Sequence, residues 1–318
     1  MSILLLTEDD VRQLLTMDTA LDAVEDVLRQ FAADEAQNVP RARCQTDQAM
    51  LHLMAGASNR LGMMGYKVYG TSRQGANFHV GLFDGVTGAL LALIQADYFG
   101  QVRTGAASGV ATQYLARPDA REVGLFGSGK QARTQLIAVC RVRKVARVTV
   151  YSPNEERRAR FAREMSAVCE CDVVPVPRPE LAALDKDIVI TATTSRTPVL
   201  YGEWLSDGMH LNVIGSNFQA KAEVDVAAVR RCDALVVDSI EQAKLEAGDF
   251  AEAIANGIIH WNDVRELGQV IAGRQTGRAR PEDVTMFKSV GLALEDVSVA
   301  ARIYAKAKEA GIGRMIEW

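Results

Sequence analysis

The sequence predicts an α/β protein built in two parts, and two observations carry that prediction. From Arg121 onward, short apolar runs alternate with helix-compatible segments, the rhythm of a parallel sheet with crossover helices. Before Arg117-Pro118-Asp119 the pattern differs: five strand-like runs separated by Gly- and Asn-containing turns follow two helical stripes, the mark of an α+β part with an antiparallel sheet.

The elements follow in order. The opening segment reads as helix, with Thr7 as N-cap, Asp10 three residues on, and Val11, Leu14 and Leu15 as its stripe. A second helix spans about Asp18 to Ala36, with Leu21, Val24, Val27, Leu28 and Phe31 on one face. Strands are expected at Arg41–Thr46, Ala49–Ala55, Met63–Tyr69, Phe78–Asp84 and Ala89–Gln95, with a hairpin turn over Asp84–Gly88. A closely packed helix, Phe99 to Leu115, is rich in Ala, Gly and Thr. In the second part the strands are Glu122–Phe126, Arg147–Tyr151, Ile188–Thr191, His210–Val213 and Ala234–Val237. Its helices are Gln131–Cys140, Glu155–Ala167, Val224–Arg231 and the region of Gln242–Ala247, and a long helix covers about Gly291–Ala310.

The sharpest motif is Gly127-Ser128-Gly129-Lys130-Gln131-Ala132, set between the apolar strand Val123–Phe126 and a helix. Gly127 suits a sharp turn, Gly129 lets a pyrophosphate approach the backbone, and Ala132 is small enough for the helix to pack on the strand. In that context the motif predicts a Rossmann dinucleotide-binding unit; the competing reading is a Gly-rich turn that binds nothing. The ribose-reading residue sits about 20 residues past the turn, where NAD-specific folds place Asp or Glu. Here the second strand ends at Tyr151-Ser152, followed by Asn154, Arg157 and Arg158, donors suited to a 2′-phosphate. The expected cofactor is therefore NADP(H), with NAD(H) as the alternative. The competing reading leaves both arginines on a solvated helix face.

Composition bounds the function. With 318 residues there is room for two ordinary domains, and the apolar share of 48% and charged share of 24% are those of a soluble globular protein. A net charge of −4 without a basic stripe argues against nucleic acid as a partner. Ile3–Leu6 is too short for a signal-peptide core and no stretch reaches membrane-spanning length, so a cytoplasmic location and no membrane partner are expected. The five cysteines, Cys44, Cys140, Cys169, Cys171 and Cys232, lack zinc-ligand spacing; neither a structural metal nor a disulfide is expected.

Several further segments resemble the ornithine cyclodeaminase/μ-crystallin family, which includes alanine dehydrogenases and cyclic imine reductases. They are Gly65-Tyr66-Lys67, Arg103-Thr104-Gly105-Ala106, the glycine turn, Thr191-Ala192-Thr193-Thr194, Gly215-Ser216-Asn217 with Lys221-Ala222-Glu223, and Lys288-Ser289 with Gly291. They run in the family's order over nearly the whole chain. The resemblance implies a layout that the pattern alone does not: a Rossmann domain at 118–290, inserted into an α+β substrate-binding and dimerisation domain made of 1–117 and 291–318. It also implies a homodimer, and a small imino, amino or 2-oxo acid as substrate.

Such a substrate needs its carboxylate held. Arg41 and Arg43 alternate onto one strand face, Lys67 lies in an apolar strand, and Arg103 opens a small-residue helix. The resemblance carries substrate binding onto Lys67 and Arg103, and onto Arg41; the competing reading for each is a salt bridge to a protein carboxylate. His52, between Leu51 and Leu53, faces the same pocket or is a satisfied core residue. Where many relatives have Asp, Gly215-Ser216-Asn217 has an amide, which hydrogen-bonds an imine or amine but accepts no proton at neutral pH. Lys67 then becomes the candidate for proton transfer, with Arg103 and Asn217 beside it in the catalytic set. Lys221 and Glu223 are read as loop-shaping residues, and Asp225 as a helix cap. Gly127, Ser128, Gly129, Lys130 and Gln131 are expected near the pyrophosphate, Ser152, Asn154 and Arg157 near the ribose, Thr191, Ala192 and Thr193 at a strand end, and Ser289 and Val290 beside the nicotinamide.

The expected activity is hydride transfer to or from the α-carbon of a small imino or amino acid. A cyclic ketimine reductase acting on pyrroline- or piperideine-2-carboxylate, or an alanine or N-alkyl amino acid dehydrogenase, fits best. The alternatives are an ornithine-cyclodeaminase-type lyase using NAD catalytically, which the missing carboxylate at 217 disfavours, and a non-enzymatic binding protein.

Overall fold

The protein is described by a computed structural model covering residues 2–317. In chain order the first elements are β1 (Ser2–Leu6), α1 (Glu8–Leu14), α2 (Met17–Ala32), β2 (Ala36–Gln45), β3 (Ala49–Ser58), β4 (Met63–Ser72), β5 (Gly75–Asp84), β6 (Leu90–Gln95) and α3 (Asp97–Leu115). Next come β7 (Glu122–Phe126), α4 (Lys130–Val142), β8 (Arg147–Tyr151), α5 (Glu155–Cys169), β9 (Asp172–Pro175), β10 (Ile188–Thr191), β11 (His210–Val213), α6 (Val226–Arg231) and β12 (Ala234–Val237). The chain ends with α7 (Ile240–Glu246), α8 (Gly248–Ala255), β13 (Val264–Glu266), α9 (Leu267–Ile271), β14 (Thr285–Lys288), α10 (Ala293–Ala310) and β15 (Arg314–Glu317). It forms two compact units, 1–103 with 292–318, and 104–291. The division after Arg103 falls inside α3, while the sequence reading puts it at 117/118.

The first unit is a seven-stranded sheet in the order β15-β1-β6-β5-β4-β3-β2, antiparallel except for β1 beside β6. The opening residues correct the sequence reading. Ser2–Leu6 are a strand, and the helix begins only after Thr7, whose hydroxyl accepts from the Asp10 N–H while the Asp10 carboxylate accepts from the Thr7 N–H. Ile3–Leu6 find their partners in β6 and in β15, at the far end of the chain, which local periodicity cannot show. The β5–β6 turn forms as expected, with Asp84 Oδ1 accepting from the Val86 and Thr87 N–H groups. One sheet face is covered by α10, which also packs on α2. Gly56 permits that approach: a Cβ there would lie 3.0 Å from the Leu294 backbone.

The second unit is an eight-stranded, wholly parallel sheet, β13-β12-β14-β11-β10-β7-β8-β9. Its inner strands β7, β10, β11, β12 and β14 are nearly continuous buried runs, as a parallel sheet covered by helices requires. Strands β9, β13 and β14 go beyond the five read from sequence. The chain moves outward from β7 through β8 to β9, then returns to the other side of β7 at β10. The β7/β10 junction is therefore a topological switch point, where open parallel sheets bind ligands at their strand C-termini. No helix among the described residues is long and apolar enough to cross a membrane.

Candidate active site

Each unit carries one set of the expected site residues. In the second, Gly127 closes β7 with φ +112°, its N–H donating to Tyr151 O at 2.8 Å. A Cβ at Gly127 would stand 2.4 Å from the Ala192 carbonyl, so the turn admits only glycine. Gly129 is different: it has ordinary extended φ, and a Cβ there would meet nothing within 4 Å. It is the N-cap of α4 without any side-chain cap, so the first N–H groups of that helix are left for an anion. Gly129, Lys130 and Gln131 are exposed, and Ala132 is fully buried against the sheet. This open, uncapped helix start at the switch point fits a pyrophosphate, and a dinucleotide would bring the nicotinamide as a hydride carrier.

The residues around that start are held by buried polar groups. Ser128 and Ser152 share a hydrogen bond of 2.9 Å between their hydroxyls. Asn154 caps α5 by accepting from the Arg157 N–H at 2.8 Å; Arg157 is exposed, while Arg158 is buried and donates to the Ser152 carbonyl. Thr191, Ala192 and Thr193 end β10, and Glu223 ties them to the next strand end. Its carboxylate accepts from Thr191 Oγ1 at 2.8 Å, Thr193 N at 2.7 Å and Gly215 N at 2.6 Å. Burial pushes the Glu223 carboxyl up, opposed by the Lys288 ammonium and the hydrogen bonds from Thr193. Lys221 lies in the half-buried loop before α6, and Asp225 caps α6 by accepting from the Ala228 N–H. Asn217 is half-buried in the loop after β11.

Two anchors, Asp238 and Asp249, escaped the sequence reading, and Lys288 was named there only as part of a motif. Asp238 at the end of β12 accepts from Ser289 Oγ, Val290 N and Gly291 N at 2.9, 2.9 and 2.7 Å. It fixes the loop in which Ser289 and Val290 lie. Lys288, fully buried, donates to Ser216 O at 2.6 Å and pairs with Asp249 at 2.8 Å. Asp249 in turn accepts from the Glu223 N–H at 2.6 Å. Buried lysine and aspartate side chains inside apolar runs were the available signal, but their pairing spans the chain.

In the first unit, Lys67 from β4 and Arg103 from α3 are 4% and 5% exposed, and Arg41, at the bulge of β2, is also buried. Lys67 Nζ and Arg103 Nε each donate to the same oxygen, Asp296 Oδ1, at 2.9 Å, and Arg103 also reaches Glu295 Oε2 at 3.1 Å. Both acids sit in the first turn of α10. Burial and the Arg103 guanidinium lower Lys67 to about 8, with Asp296 opposing that shift and Arg41 adding to it. Lys67, Arg103 and Arg41 thus bring positive charge together with the carboxylates of Glu295 and Asp296. His52 is otherwise engaged: Nδ1 accepts from Arg43 Nε at 3.2 Å, Nε2 meets Thr71 Oγ1 at 3.2 Å, and its ring stacks on Tyr69. Burial, then Arg43 and Arg41, hold His52 at about 4, so it is neutral, with its proton on Nε2.

Known proteins are similar to this chain over nearly their whole length. The model of the ornithine cyclodeaminase/mu-crystallin family matches residues 1–311. Alanine dehydrogenase of Archaeoglobus fulgidus is 35% identical, over 100% of this chain and 99% of its own. The structure of Thermococcus litoralis Delta(1)-pyrroline-2-carboxylate reductase, in complex with NADH and L-proline, superposes with a TM-score of 0.94 at 35% identity, covering 98% of this chain and 99% of that one. An archaeal alanine dehydrogenase dimer with bound NAD gives 0.92 at 34% identity, covering 100% of both chains.

Proposed function

The chain belongs to the ornithine cyclodeaminase/mu-crystallin family, and from that premise we propose that it is a nicotinamide-dependent oxidoreductase of small imino and amino acids. The reaction adds hydride to the α-carbon of a C=N bond and a proton to its nitrogen, or runs in reverse. The observation that carries this reading is the buried pair Lys67 and Arg103, cationic and held side by side on one carboxylate oxygen. Arg103 binds the substrate carboxylate and Arg41 adds positive charge. Lys67, whose amine titrates at about 8, holds the proton that the product nitrogen needs at neutral pH. Asn217 offers an amide, which hydrogen-bonds an imine or amine but takes no proton at neutral pH. A cyclic ketimine carboxylate suits this set best, and alanine or an N-alkyl amino acid comes next, since neither brings a second charge.

The preferred cofactor is NADP(H). What supports this is that no carboxylate stands at Tyr151 or Ser152, and that Arg157, exposed in the first turn of α5, is a donor suited to a 2′-phosphate. The protein is a cytoplasmic homodimer in this reading. The sheet face of the first unit turned away from α10 exposes Val39 (56%), Leu53 (41%) and Met64 (37%), around an apolar groove that also includes Pro40, Tyr66 and Val68.

The test offers the purified protein NADPH or NADH with cyclic imino acids, or with 2-oxo acids plus ammonia or methylamine, and follows loss of the reduced nicotinamide absorbance. Steady loss with one substrate class supports the reading. Ammonia released from ornithine with NAD, without net cofactor consumption, would replace it by a lyase. In an active enzyme, Arg157→Ala is expected to raise KM for NADPH about tenfold while sparing NADH, the size of one exposed charge-assisted contact. Equal effects on both would remove Arg157 from cofactor choice.

A further inference from the structure

Asp296 stands between the two cations that the proposed reaction uses. Its Oδ1 accepts from Lys67 Nζ and from Arg103 Nε, both at 2.9 Å, and the carboxylate side chain has no exposure to solvent. Its other oxygen, Oδ2, is buried without a hydrogen-bond partner among the described residues. Here one oxygen is shared, which draws the two cations together against their mutual repulsion and fixes their spacing. Glu295, its neighbour on α10, takes the outer side of Arg103 and is not paired with Lys67.

The groups around Lys67 come from every packed element. Arg41 from β2, Arg103 from α3, and Glu295 and Asp296 from α10 are the charged ones. On the same sheet face β3 supplies His52, held neutral, and β5 supplies the Phe78 ring, whose centre lies 5.9 Å from Nζ. The anion bonded to Lys67 is Asp296. Desolvation, Arg103 and Arg41 all act to remove the Lys67 proton, and Asp296 acts to keep it.

We propose that Asp296 is the positioning residue that keeps Lys67 protonated and fixed beside Arg103, so that proton delivery to the substrate nitrogen at neutral pH depends on a carboxylate that need not touch the substrate. This rests on the oxidoreductase reading above. Without the negative charge of Asp296, Lys67 loses its proton at lower pH and turnover in the reductive direction becomes limited to more acidic conditions. With a glutamate there the charge survives, and so does the dependence.

The experiment measures kcat/KM for reduction of a cyclic imino acid with saturating NADPH across the neutral and alkaline range, for the wild type, Asp296→Asn and Asp296→Glu. The wild type should lose activity as pH rises through about 8. Asp296→Asn should move that falling limb down by about one pH unit or more, while Asp296→Glu keeps it within about half a unit. Ionisation of the substrate is common to all three proteins and cancels in the comparison. An Asp296→Asn limb at the wild-type position overturns the inference. So does an Asp296→Glu limb displaced by a full unit, and if Asp296→Asn does not fold, the equally uncharged and smaller Asp296→Ser is read in its place by the same criterion. Absence of turnover in the wild type with every imino acid would overturn the oxidoreductase reading, and the inference with it; an active wild type whose limb the uncharged variant leaves in place overturns the inference alone.

Discussion

Around Gly129, the proposed anion site is made of backbone: uncapped N–H groups at a helix start, reached through a position where a side chain would be in the way. Around Lys67 it is made of ionised side chains, buried with counter-charges on α10. The difference is one of chemistry. A pyrophosphate stays ionised and is only held, so fixed dipoles that never titrate are sufficient. A site that must also move a proton needs a group able to lose one, and burying such a group obliges the chain to bury its counter-ion as well. Each unit therefore fails in its own way when altered.

The largest expected effect breaks the side-chain site. Lys67→Met replaces the ammonium by an apolar chain of similar length, and Asp296 keeps Arg103 as a partner, so the fold should survive. Turnover should fall by about a thousandfold, within the range for losing a general acid–base group, while affinity for NADPH stays within about twofold. Normal activity in this variant would sink the proposed role of the lysine. Loss of cofactor affinity to match would instead show that the two sites do not fail separately.

Next is acid sensitivity, because each unit also buries a neutral histidine. His52 in the first is held at about 4, and His210 in the second at about 3, against an ordinary value of 6.5. Burial is the main cause in both, with Arg43 next for His52 and Arg278 next for His210. Between those values and 6.5 the unfolded chain binds more protons than the folded one, so stability is whole above 6.5 and declines as pH falls toward 4 and then 3. His210 has no exposure, and its Nδ1 meets Thr285 Oγ1 at 2.9 Å. Its share of the loss is on the order of a few kcal/mol. Urea melts of wild type and His210→Gln at neutral and mildly acid pH check this: the variant should have the shallower acid slope. An unchanged slope would place the sensitivity elsewhere.

How much of this was legible in the sequence follows the same division. The glycine turn could be read because every residue it needs is within six positions, and strand, turn and helix adjoin. Lys67 and Arg103 could be singled out as long cations in apolar elements. Their partners could not: Asp296 lies 229 residues from Lys67, and in the first turn of a helix it looks like a macrodipole acid at solvent. Strand β1 was missed for the same reason, since five residues from Ser2 become a strand only by pairing with β6 and β15. Glu223 was read as shaping a loop, and its three accepted hydrogen bonds show how: it ties the ends of β10 and β11 together. What the chain encodes locally can be read locally; an ion's counter-ion is encoded only by the fold.

The smallest effects sharpen the backbone site, and they come from two glycines that look alike in the motif. Gly127→Ala puts a Cβ 2.4 Å from the Ala192 carbonyl at a φ of +112°, so both the turn and the end of β10 must shift. A loss of about 2–3 kcal/mol is expected, from the strain of that backbone region and the contact together. Gly129→Ala meets no protein atom within 4 Å at an ordinary φ, so stability should stay within about 0.5 kcal/mol. Its methyl group nevertheless occupies the space through which the pyrophosphate would approach, and NADPH should bind about tenfold more weakly. Denaturation melts read the first number and cofactor titration the second. If Gly129→Ala bound NADPH as well as the wild type, the empty space at that glycine would not be where the phosphates lie, whatever the motif suggests. If instead Gly129→Ala were as unstable as Gly127→Ala, the second glycine would serve the fold, and the distinction between a glycine kept for the turn and one kept for the ligand would fall.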